Sequence, residues 1–98
     1  MITTSGFIKL PEQEVEAKTG LFRNPATGAV WKLSRQNEQL IIDVPNFSFQ
    51  IAPLSETKFL PVPASIKLEI EFEKQGNNQP LLMHLYAKGI KRATFQIL

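Results

Sequence analysis

Residues 66–74 read IKLEIEFEK. Ile66, Leu68, Ile70 and Phe72 alternate with Lys67, Glu69, Glu71 and Glu73, a period of two that predicts a strand with one buried and one wet face. Residues 46–53 repeat the pattern, Phe47, Phe49 and Ile51 falling opposite Ser48, Gln50 and Ala52. Further strands are expected at 21–24, 29–35, 39–44, 57–62, 80–87 and 91–98, with Trp31 and Leu33 sharing a face of the second of these. The 57–62 strand is limited by Pro61 and Pro63, which have no N–H to give to a ladder. Short strands at such spacing, separated by turn residues, are the mark of an all-β sandwich or barrel.

The breaks carry turn chemistry. Residues 24–28, NPATG, place Pro where φ near −65° is wanted and Gly where positive φ is allowed. Gln36-Asn37 or Asn37-Glu38, Pro45-Asn46, Ser55-Glu56, Gly76-Asn77-Asn78 and Lys88-Gly89 supply the others. None of these connections is long enough for a parallel crossover, so successive strands must be antiparallel. Residues 10–18, LPEQEVEAK, read instead as a short helix, with Pro near the start, acids in the first turn and Gly20 beyond the end. Closing an up-and-down meander removes both of its edges. The expected architecture is therefore a single domain over 1–98: residues 1–6 disordered, a helix over 10–18, then about eight antiparallel strands over 19–98 closed into a barrel. A two-sheet sandwich is the rival. The inward candidates are bulky (Trp31, Leu33, Leu40, Ile42, Phe47, Phe49, Ile51, Phe59, Leu68, Ile70, Phe72, Leu82 and Phe95), which predicts a mostly filled interior with at most a shallow pocket at one mouth.

Composition bounds function more loosely. The net charge of +2 comes from 11 basic against 9 acidic residues, too small an excess for a nucleic-acid or membrane footprint unless concentrated on one face. There is no cysteine, hence no disulfide or thiolate chemistry. No apolar run approaches the length of a membrane span and the N-terminus does not read as a signal peptide, so a soluble, cytoplasmic protein is the expectation.

Few residues suggest chemistry. His84 is the sole histidine, so any histidine-based triad must use it; a lone strand histidine is more often packed or at the surface than catalytic. With one His and no Cys, a zinc site is not expected. Glu69, Glu71 and Glu73 share a strand face at spacings of about 6.5–7 Å, and read more simply as a solvated face balanced by Lys67 and Lys74 than as paired catalytic carboxylates. The glycine turns do not match a phosphate loop. Arg23, Lys32, Arg35, Lys91 and Arg92 could in principle make a nucleic-acid patch, but most Phe residues look buried rather than free to stack on bases. Trp31 and Tyr86 combine a large apolar body with one polar handle and, with His84, are the residues best suited to line a ligand pocket. No catalytic residue, metal ligand or cofactor is assigned.

Residues 7–23, FIKLPEQEVEAKTGLFR, resemble the opening of a domain family of unknown function often found C-terminal to serine β-lactamase-like hydrolases and peptidases. Ile8, Leu10, Pro11, Val15 and Gly20 fit its pattern, and Phe22 stands in for the second Tyr of its first strand. Lys18 occupies the place where the first Tyr is usual. Residues 24–28, 37–40, 52–59 and 68–74 with Gly76 are similar to its later turns and strands. The resemblance implies a small lipocalin-like barrel of bacterial type that serves as an accessory domain; the roles suggested for it, oligomerisation and active-site shielding, concern the fused proteins. The initiating Met reads as a stand-alone form or as a piece of a longer protein. The functional expectation is a non-catalytic accessory or interaction module acting through protein contact or self-association, the strand at 91–98 having apolar residues on both faces with which to pair. The alternative is a lipocalin-like binder of a small apolar ligand. No nucleic-acid or membrane partner is expected.

Overall fold

The computed structural model describes residues 7–62, 65–74, 76 and 79–98. The expected disorder of residues 1–6 and most of the turn at 76–78 lie outside these. The described chain runs α1 (Glu12–Glu16), β1 (Gly20–Arg23), β2 (Val30–Gln36), β3 (Gln39–Val44), β4 (Phe47–Pro53), β5 (Lys58–Pro61), β6 (Glu69–Glu73), β7 (Leu82–Ala87) and β8 (Ile90–Ile97). Each strand pairs antiparallel with the next, and β8 returns to β1, closing an eight-stranded barrel. The sandwich is excluded. The seam is narrow, with Phe22 opposite Ile97 and Arg23 opposite Gln96. β8 is bonded to β7 along its length but meets β1 only through Gln96 and Ile97, so toward β1 its earlier residues pair with no described strand.

Three connections are two-residue hairpins, one of them joining Val44 to Phe47 around Pro45-Asn46. Gln36 pairs with Gln39 around Asn37 at φ 61°, and Ala87 pairs with Ile90 around Lys88 at φ 54° and Gly89 at φ 77°. Positive φ at both central residues, as at Lys88-Gly89, gives a turn whose twist matches that of the flanking strands. The longer β1–β2 turn is knit by Asn24, whose Oδ1 accepts from the N–H of Ala26 at 2.8 Å while its carbonyl accepts from Gly28 at 2.7 Å.

The interior is filled. Phe22, Phe59, Phe95, Leu33, Leu40, Ile42, Ile51, Ile70 and Met83 are fully buried, and Phe72 meets Phe59 and Phe22 edge-on at 5.3 and 6.0 Å between ring centres. Two of the expected inward residues differ. Phe47 has inward parity but stands at the rim, 57% exposed and stacked on Phe49. Leu82 lies on the outer face, opposite Glu73 and Gln96; Met83 and Leu85 point inward instead. Residues 80–87, PLLMHLYA, are apolar at both parities, so alternation alone cannot orient this strand.

The helix is shorter than expected, five residues with Pro11 as N-cap and Ala17 as C-cap. Too short to persist alone, α1 lies at the barrel end that carries the β2–β3 and β4–β5 connections. Leu10 and Val15 are buried against the core, and Arg35 of β2 pairs with Glu12 at 2.7 Å and Glu16 at 3.2 Å. No helix among the described residues is long and apolar enough to cross a membrane.

Candidate functional site

The outer wall of β6, β7 and β8 carries the densest chemistry. Antiparallel register places Glu71 and Thr94 on either side of His84, and Glu69 and Lys91 on either side of Tyr86. The second pairing depends on an irregularity. Leu85 faces Ala93 while Tyr86 faces Lys91, so Arg92 is an extra residue on β8, a β-bulge. Strict alternation from Ala93 would send Lys91 into the core. The bulge turns it outward, where its ammonium stands 5.9 Å from the centre of the Tyr86 ring.

His84 is buried, 6% exposed, although it lies on the outer face. Its Nε2 is 2.8 Å from Oε1 of Glu73, its diagonal neighbour on β6, and its Nδ1 is 2.8 Å from Oγ1 of Thr94. A carboxylate accepts and an imidazole N–H donates, so the Glu73 contact suits an Nε2–H donor, while Nδ1 shares its hydrogen bond with the Thr94 hydroxyl. The order hydroxyl, imidazole, carboxylate is that of a nucleophilic triad. Thr94, however, does not line the adjoining cleft, and the array satisfies both ring nitrogens, which is also what a buried structural histidine needs.

That cleft, about 510 Å³, opens beside α1 and is bordered by Lys18, Phe72, Lys74, Leu81, His84 and Tyr86, with Glu14, Glu56, Glu71 and Glu73 among its acids. Of the three residues expected to line a pocket, His84 and Tyr86 meet here. Trp31 does not: it faces the barrel interior, half-buried, with its ring 4.8 Å from that of Phe95. No group of three or more potential metal ligands is found among the described residues.

Lys18 is the residue the reading of the sequence passed over. It is 4% exposed, and its ammonium lies 5.8 and 5.9 Å from the ring centres of Phe72 and Phe59. Burial holds its pKa below the ordinary lysine value, against the opposing pull of Glu14.

Another spacing passed over is Ser55-Glu56-Thr57-Lys58, a literal Ser-x-x-Lys. It occupies an exposed turn and not a helix. Ser55 Oγ accepts from the N–H groups of Thr57 and Lys58 at 3.2 and 3.0 Å, and Lys58 faces Glu69 at 4.0 Å. Its hydroxyl serves the turn as a local cap. No family model, curated protein or solved structure matches this chain.

Proposed function

We propose that the chain is a non-catalytic accessory module, a lipocalin-like barrel whose working surface is its outer wall and which acts by protein contact, in the first instance with a second copy of itself. The observation that carries this reading is the filled axis. Phe22, Phe59, Phe95 and six aliphatic or Met side chains occupy the space in which a hollow barrel holds its ligand. The alternative, a binder of a small apolar ligand within the barrel, would require several of these to move at a cost of some kcal/mol each. The outer wall meanwhile exposes Leu21 of β1 and, diagonal to it, Val30 of β2, next to Leu98 beyond β8, whose N–H donates to the Leu21 carbonyl. This apolar strip supports contact with a similar surface.

Native mass spectrometry tests the reading. A ligand-free oligomer that Val30→Lys dissociates is the expected result. A monomer that retains a small molecule overturns it in favour of the alternative, and a ligand-free monomer at all concentrations removes self-association.

A further inference from the structure

The ammonium of Lys18 has three N–H donors and no acceptor. One donates to the main-chain carbonyl of Glu14 at 3.2 Å. The Glu14 carboxylate stands at 3.6 Å, beyond hydrogen-bond length, and the rings of Phe59 and Phe72 flank the group. The charges acting on it are Glu14 from α1 and Glu56 from the β4–β5 connection, which favour the protonated form, and Lys74 beyond β6, which opposes it. As a plug for the barrel end, a methionine would serve with less desolvation. A buried cation held by one hydrogen bond and one ion pair to Glu14, at the wall of a cleft, has donors left for something that enters the cleft.

Two hollows meet at this lysine. The 510 Å³ cleft brings Phe72, Leu81 and Tyr86 as apolar walls. A second, about 330 Å³, shares Lys18, Lys74 and Leu81 with it, adds Ala17, and has no acid among its described lining residues. Together they fall in the size range of small-molecule sites, with Lys18 and Lys74 where the two meet, away from the acids Glu71 and Glu73 farther along the larger cleft.

We propose that these adjoining hollows bind a small organic acid, an apolar chain ending in a carboxylate that accepts from Lys18 Nζ and pairs with Lys74, while the chain lies along Phe72, Leu81 and Tyr86. The site is outside the filled axis and independent of the protein-contact role.

Octanoate is the probe, followed by NMR of the full chain. Saturable shifts at Lys18, Phe72 and Leu81 are expected, with the Lys18 pKa rising on binding because the carboxylate favours the protonated amine. Octan-1-ol, of equal length but uncharged, should shift these signals at least tenfold less at the same concentration. Lys18→Met should weaken octanoate by about tenfold or more, the usual consequence of losing a charge-assisted hydrogen bond, and Lys74→Gln should weaken it by less. No saturable shift with octanoate, equal response to octan-1-ol, or undiminished binding to Lys18→Met each overturns the proposal. Should that variant fail to fold, the comparison of acid with alcohol and the Lys18 titration decide the matter on the wild-type chain.

Discussion

His84 and Glu73 are joined at 2.8 Å across two neighbouring strands although they are not directly opposite; Glu71 faces His84, and Glu73 faces Leu82. The diagonal contact fixes the imidazole so that its other nitrogen meets Thr94 on β8. Three strands of the closed wall are thereby stitched together on their outer face by side chains, in addition to their ladders.

If this array is a fastener, Thr94→Val should cost about 1 kcal/mol, the usual net worth of a part-buried hydrogen bond, because Nδ1 loses its partner while the shape of residue 94 is kept. Urea unfolding monitored by Trp31 fluorescence measures this. The same variant should hydrolyse an activated ester no more slowly than the wild type. A loss of ester turnover on Thr94→Val, with stability unchanged, would show the array to be a working triad and end the non-catalytic reading.

Lys18→Met should raise stability at neutral pH by about 1 kcal/mol, since a flexible apolar side chain replaces a buried charge between Phe59 and Phe72. The pH dependence separates this from better packing alone. The folded pKa of Lys18 is lowered from 10.5, so between the folded value and 10.5 the unfolded chain binds more protons. Stability should therefore climb as pH rises through that window, and the cost of burying the cation is fully present below it. In Lys18→Met this contribution to the climb should disappear. Parallel stability–pH curves for the two proteins would mean that Lys18 is not desolvated in solution.

The closed antiparallel barrel was legible in the chain because Phe49, Ile51, Ile70 and Phe72 alternate with polar residues, and because Asn37 and Lys88-Gly89 sit where tight hairpins need positive φ. What stayed hidden has physical causes. A strand apolar on both faces gives no parity, so Leu82 and Met83 exchange places relative to expectation. An inserted residue such as Arg92 breaks the period without leaving a mark in composition. The site was half legible: His84 and Tyr86 stand out as lone polar handles in an apolar run. The partners of His84, Glu73 and Thr94, are 11 and 10 residues away, and only register brings them together. Lys18 was invisible as a core residue, because by type a lysine after an acidic helix reads as solvated.

Lys88 offers a test of the turn itself. It holds φ 54° with a side chain that disfavours the left-handed region, whereas Asn tolerates it. Lys88→Asn should stabilise the protein by roughly 0.5 kcal/mol, and Gly89→Ala, at φ 77°, should destabilise it by about 1 kcal/mol although no atom stands within 4 Å of the added carbon. Equal melting temperatures for wild type and both variants would mean that this hairpin is frayed.

Arg92 makes the sharpest claim about β8. Removing it would leave Ala93 opposite Leu85 and Lys91 opposite Tyr86 in an unbroken ladder, with every inward residue still inward. Deletion of Arg92 should therefore be tolerated at a cost of about 1 kcal/mol, for the twist the bulge supplies. Deletion of Thr94, two residues on, should destabilise the barrel far more: with Phe95 and Ile97 holding their core and seam positions, Ala93 moves to the outer face opposite His84 and Arg92 is carried into the core opposite Leu85, while Lys91 stays opposite Tyr86. Circular dichroism melts of the two deletions compare them directly. Equal damage from both would mean that Arg92 occupies a regular ladder position and that Lys91 does not reach the Tyr86 ring.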